Sequence, residues 1–287
     1  MKAFWNHLWI TLRLNFRNPQ AVVLGYGVPI FFLFAYAGFF LKGVTDASMG
    51  SALSKYMGQL LTITVLGGAC FGMPIAFVSE RERGVWRRYR LTPVPTVVFL
   101  LSILVARLIL VVIAAVIQIA LAMWIYKMPW PRDIGLLVVG FLFTSFAFLA
   151  IGMVIAMVAN SVQAVQALGQ ALFLPMIMIA GIGKPLHDLP AWAKTTTAFL
   201  PLRYSVQVID PAMYDVTKVK YLYRPEIYGG FNYLALAVIG LAASLAAVKL
   251  FRWENSQRQG WRDWAWVGLS VASWAVIGGV AMAYKFV

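Results

Sequence analysis

The chain reads as an all-α polytopic membrane protein, and three observations carry that reading. Its 287 residues are 62% hydrophobic and only 12% charged, with a mean hydropathy of +0.79. Soluble domains carry about 25% charged residues, and no soluble core of this size hides so much apolar surface, so lipid must be part of the solvent. Seven apolar runs are each long enough to cross a hydrocarbon layer about 30 Å thick at about 20 residues per crossing. Backbone groups in lipid must be satisfied within their own segment, which makes these runs helices.

The N-terminal stretch "MKAFWNHLWITLRLNFRNP" is too interrupted by polar residues to be a cleaved signal peptide. At helical spacing Phe4, Trp5, Leu8, Trp9, Leu12 and Phe16 share one face, with Lys2, Asn6, Arg13 and Arg17 opposite. A helix over 1–19 follows, ended by Asn18-Pro19. It lies either in the membrane interface or as an ordinary cytoplasmic cap.

The seven runs fall at 21–41, 58–78, 96–126, 134–159, 163–182, 231–251 and 264–284. Cationic residues set the orientation. Lys2, Arg13, Arg17, then Arg81, Arg83, Arg87, Arg88 and Arg90, then Lys249, Arg252, Arg258 and Arg262 fall on one side. Short loops on the other side carry only Lys42, Lys55, Lys127 and Arg132. The positive-inside rule puts the N-terminus in the cytoplasm and, with seven crossings, the C-terminus outside. Arg107 interrupts the long third run, where it either snorkels to the inner interface or is buried for function.

The ten acids stand at 46, 80, 82, 133, 188, 210, 215, 226, 254 and 263, none in the middle of a run. A proton- or sodium-coupled carrier needs a carboxylate or His at membrane depth, so coupling energy is expected from elsewhere. The net charge of +14 reflects basic loops and few acids rather than nucleic-acid binding. One cysteine, Cys70, and two distant histidines, His7 and His187, offer neither an intrachain disulfide nor a metal site. "GIGKP" at 181–185 is no P-loop, because Pro185 stands where a Ser or Thr must hold magnesium.

The segment "SERERGVWRRYRLTP", 79–93, holds two of the ten acids and five of the 24 Lys and Arg residues. A helix from Glu80 to Leu91 would gather Val85, Trp86 and Tyr89 on one side. Most of its charges, among them Glu80, Arg81, Arg83, Arg87, Arg88 and Arg90, would lie opposite. Thr92-Pro93 would end it. On physics alone this is a surface amphipathic helix or a positive loop facing lipid phosphates.

"ERERGVWRRYRLTPVP" (80–95) resembles the cytoplasmic coupling-helix signature of ABC-2 type transporter permeases. Downstream, "GIGKPLHDLPAWAKTTTAFLPLRYSVQ" (181–207) is similar to the segment that follows the family's fifth span and forms short re-entrant helices outside. The resemblance covers about residues 1–254, and the last apolar run departs from the family's six-span plan. It implies an ABC-2, type V-like exporter transmembrane domain of six family spans plus an extra C-terminal helix. The parts would be an interfacial helix at 1–19, a transmembrane domain at 20–254 and an additional helix at 255–287. Within the domain lie a coupling helix at 80–92, an outer re-entrant segment at 183–204 and an outer loop at 205–230.

The resemblance also implies roles. Glu80, Arg81, Glu82, Arg83, Gly84, Trp86, Arg87, Arg88 and Tyr89 would dock on an ATPase, with Trp86 and Tyr89 anchoring in the membrane surface or the ATPase groove. Pro185, Leu189, Pro190, Trp192, Pro201, Leu202 and Tyr204 would shape the re-entrant segment. Gln163, Gln166 and Gln170, one polar stripe on the fifth span, would line a route, meet a dimer partner or bond between helices; Thr62 and Thr64 are weaker candidates. Partners would be two cytoplasmic ABC ATPase copies, a second permease copy (identical or similar), membrane lipid and an extra membrane or periplasmic subunit, in a bacterial inner membrane. ATP and magnesium would belong to the ATPase, and this chain would be no enzyme. The cargo expected is a lipid, an amphipathic drug or a lipid-linked glycan. A carrier or channel without an ATPase, or a subunit that transports nothing and does mechanical work, remains open.

Overall fold

The computed structural model describes residues 2–17, 23–41, 43–86, 96–179, 190–215, 225–252 and 260–284, and every regular element among them is helical. Helix α1 (Lys2–Arg17) lies against α5 (Thr96–Tyr126). Leu8 is buried at that contact, while Trp5, Trp9, Leu14 and Phe16 are exposed. The apolar face expected from spacing is therefore divided between α5 and the surroundings.

One π turn (Val23–Gly27) leads into α2 (Val28–Phe40). Next comes a long rod: α3 (Asp46–Gly67), a π segment (Gly68–Gly72) and α4 (Met73–Glu82). The sequence placed the start of this span at 58; the helix begins a dozen residues earlier. Pro74 explains the π segment. It has no N–H for the carbonyl one turn back and crowds it, so the ladder widens and the Met73 N–H reaches Gly68 O.

That segment is where neighbours come closest. A side chain at Gly152 would strike the Ala69 carbonyl, and one at Gly169 would lie 2.7 Å from the Cys70 carbonyl. Only glycine lets α6 (Ile134–Val158) and α7 (Val162–Ile179) approach the rod at this depth.

Helix α6 is the centre of the bundle, buried without interruption from Ala147 to Met157 and packed on α4, α9 and α10. Its first turn is capped by Asp133, whose carboxylate accepts from the Leu136 N–H at 2.9 Å. After α7 come α8 (Ala191–Thr197), α9 (Pro201–Met213), α10 (Pro225–Lys249) and α11 (Trp261–Ala283). The last packs at the edge against α10, and its Gly278 fits under the Phe199 ring.

Among the described residues five helices are long and apolar enough to cross a membrane: Ser48–Glu82, Val98–Tyr126, Ile134–Val158, Gly229–Lys249 and Trp261–Ala283. Two further expected spans appear among the described residues as the shorter apolar helices Gly25–Phe39 and Val162–Met178.

Two expectations need correction. Glu80–Glu82 do not begin a separate helix; they are the last turn of α4. The chain then turns at Arg83-Gly84, where Gly84 has φ +69, a left-handed conformation suited to glycine, and Val85 and Trp86 start afresh. The outer loop placed at 205–230 is likewise helical to Met213, because α9 lies buried among α3, α6 and α10.

Candidate coupling site

The bundle has two ends. One gathers α1, the turn at 83–86, the end of α6 and the end of α10, and here the charged motif folds inward. Trp86 is fully buried. Its ring stands edge-on to Phe77 and Phe99, with centroids 3.9 and 5.6 Å away, and stacks on Phe251 at 5.8 Å. The residue expected to anchor at a surface or in a partner's groove instead joins α4, α5 and the exit of α10. An indole of this size beside three phenyl rings gains more from burial than from an interface.

Arg81 is buried as well; its Nη2 donates to the Ala159 carbonyl and its guanidinium lies 5.9 Å from the Trp86 ring centroid. Arg252, arriving from α10, donates through Nη2 to Met157 O at 2.9 Å and Asn160 Oδ1 at 3.1 Å. Two cations thus close the carbonyl end of α6, where orphan carbonyls and the negative pole of the helix dipole favour positive charge. Glu80 also turns inward. It accepts from Trp86 Nε1 at 3.4 Å and lies in the field of Arg107, which also acts on Tyr26. Arg107 Nε is shielded from solvent, so this side chain is directed into the bundle.

Of the nine expected docking residues, Glu82 and Arg83 are exposed, and Gly84 makes the turn between them and Trp86. Arg87, Arg88 and Tyr89 lie outside the described residues. What α4 presents outward is therefore a short charged knuckle on a rigid base. Its base is Trp86 and Arg81.

Gln163, Gln166 and Gln170 are all exposed along α7. Thr62 and Thr64 do not line an open route: Thr62 donates to Gly58 O at 2.7 Å, and Thr64 Oγ1 lies within hydrogen-bond distance of Leu60 O (3.1 Å) and Gln118 Oε1 (2.8 Å). Gln118 went unnoticed in the sequence. It is fully buried on α5, and its Nε2 donates to Pro29 O at 3.1 Å, tying α2, α3 and α5 together. A lone amide in a long apolar run was its signal.

At the other end Pro190 and Trp192 are exposed, whereas Pro201, Leu202 and Tyr204 are buried in α9. Pro185 and Leu189 lie outside the described residues. The α8–α9 corner is held by Arg203 Nη1 donating to Thr197 Oγ1 at 2.8 Å and Tyr204 OH donating to Ala198 O at 2.5 Å. Helix α9 also carries Asp210, which the sequence placed in a loop. It is buried against Gly58 of the rod, where any larger residue would strike its carboxyl. Burial pushes that carboxyl up to about 8, against the opposing bond from Tyr214. The sequence placed this acid outside the apolar runs; the structure buries it beside Gly58 of α3.

Comparison with known proteins identifies the family. The sequence family described as ABC-2 type transporter matches residues 2–214. The chain is 24% identical over 197 residues to proteins named "Probable multidrug ABC transporter permease YbhR" in Escherichia coli K12 and in Escherichia coli O157:H7. Each match covers 68% of this chain and 51% of the relative, so the chain spans about half the length of the curated relatives it matches. No solved structure matches the chain significantly. Five apolar helices of spanning length, with a family match over most of the chain, make this a multi-pass membrane protein belonging to the ABC-2 type transporter family.

Proposed function

We propose that this chain is the membrane-spanning subunit of an ATP-driven exporter of type V-like architecture, energised by a separate cytoplasmic ATPase present in two copies. The observation that supports this most is the seat of the charged turn. Glu82 and Arg83 project from a base that Trp86 and Arg81 bolt to α4, α5, α6 and α10. A push on the knuckle reaches four helices at once, as a rigid-body switch requires. Charge-assisted contacts from Glu82, Arg83, Arg87 and Arg88 would hold the ATPase, which carries ATP and magnesium.

In this reading the N-terminus and the 83–86 turn are cytoplasmic, the α8–α9 end faces outward, and α11 carries the C-terminus across a bacterial inner membrane. Two copies, or this chain and a similar one, meet along the Gln163–Gln166–Gln170 stripe of α7. Amides facing hydrocarbon are costly and are satisfied by a neighbouring helix. The cargo is apolar or amphipathic: a lipid, a drug or a lipid-linked glycan.

The deciding experiment is to tag the chain, purify it in mild detergent from its host and identify what accompanies it. A stoichiometric ATP-binding subunit, whose stimulated hydrolysis is lost in a Glu82→Ala, Arg83→Glu variant that still inserts, is the expected result. A lone oligomer without an ATPase overturns the proposal. The buried Asp210 favours one second reading, a carrier that works without an ATPase; flux driven by an ion gradient alone would establish it.

A further inference from the structure

We propose that the Asp210 carboxyl is a proton-binding site that follows the position of α9, filled while α9 is seated on α3 and emptied into water when α9 withdraws.

The geometry around it is that of a neutral acid. Asp210 is buried, and its Oδ1 has no hydrogen-bond partner among the described residues. Its other oxygen, Oδ2, accepts from the Tyr214 hydroxyl at 3.3 Å, a long and solitary bond. The space that a side chain at residue 58 would fill is occupied by this carboxyl, so α3 is shaped to receive it.

The described groups facing this site are mostly hydroxyls. From α2 comes Tyr36, whose hydroxyl donates to Gln59 Oε1 of α3 at 2.8 Å, and from α3 itself Tyr56. Of the other helices packed on α9, α6 carries Asp133 as its N-cap, engaged with the Leu136 N–H, and α10 carries Tyr233, whose ring meets Phe143. On its own helix Arg203 is two turns away and donates to Thr197, and beyond Tyr214 the Arg132–Asp215 ion pair closes the rim at 3.3 Å. A carboxylate in such a place would be a buried charge with an empty acceptor. Such groups neutralise by keeping their proton.

Withdrawal of α9 changes the balance. In water the O–H bond of a carboxyl breaks readily, at a pKa of about 3.9, and its proton passes to solvent. The seated state therefore holds one more proton than the withdrawn state. Acid favours seating, which is at full strength below about pH 3.9 and weakens by up to tenfold per pH unit above it. The effect levels off near the seated value of about 8.

The test uses the full chain in lipid nanodiscs. Infrared spectra of wild type should show a protonated carboxyl band at about pH 6 that is lost by about pH 10 and is absent from Asp210→Asn. Hydrogen exchange of α9 amides, referenced to α6 amides, should report opening that rises with pH in wild type by up to tenfold per unit and stays flat in Asp210→Asn. Should that variant fail to fold, Gly58→Ala serves, because the added methyl expels the carboxyl and the band must vanish at lower pH. A band that persists in Asp210→Asn, an unchanged band in Gly58→Ala, or identical pH slopes in wild type and Asp210→Asn would overturn the proposal.

Discussion

The ring of Trp86 stands edge-on to that of Phe77, their centroids 3.9 Å apart, although eight residues and a left-handed turn separate them. This contact folds the charged motif back onto the helix that precedes it. It turns a surface segment into part of the core.

Trp86→Ala should therefore behave as a core deletion, costing about 3–5 kcal/mol. Trp86→Phe keeps one ring in the box and should cost less. Unfolding of both variants in one detergent measures the difference; equal stability of Trp86→Ala and wild type would contradict the packing described.

Removing Arg252 should loosen the end of α6. Arg252→Met removes the guanidinium bonds to Met157 O and Asn160 Oδ1, at about 1–3 kcal/mol. Hydrogen exchange should rise first in the last turn of α6 and not at its Asp133-capped start.

Gln118→Leu should cost about 1–2 kcal/mol, since the Pro29 carbonyl loses its donor while Thr64 can still donate to Leu60 O. Combining it with Thr64→Val should give less than the sum of the two losses, because both changes remove the same bond. A double-mutant cycle read by unfolding checks this.

Acid should release α1 from α5. Burial holds the His7 imidazole below its usual value of 6.5. The docked helix therefore keeps its full stability above about pH 6.5 and loses it as pH falls through the lower docked value. His7→Gln should remove that dependence. Fluorescence of the tryptophans on α1, Trp5 and Trp9, followed between about pH 7 and 5, is the measurement.

A membrane-impermeant thiol label on a cysteine added after Val287, in a chain with Cys70 replaced, should react in intact cells if α11 crosses as proposed. Reaction only after lysis would place α11 along the surface.

Much of the architecture was legible because lipid makes local rules stringent. A run of about 20 apolar residues has one low-energy structure there, so the rods through Leu60, Ile113, Met153, Ala243 and Val276 could be read from hydropathy alone. The motif around Glu82 was legible for the same reason, as a cluster of charge that lipid would not accept.

The parts that went unread depend on partners distant in the chain. Helix α9 straddles the expected boundary between the re-entrant segment, 183–204, and the outer loop, 205–230, and runs on through Pro211. Its burial was decided by Gly58 on α3, which leaves room for a carboxyl, and by Gly140 on α6, where a side chain would lie 2.8 Å from Val208 O. Trp86 likewise looked amphipathic until Phe99 and Phe251 closed around it. Hydropathy and periodicity are properties of a residue and its near neighbours, and they determined the helices and the charged motif. Which polar groups those helices bury is set by contacts between residues tens to hundreds of positions apart, and only the tertiary structure decided that.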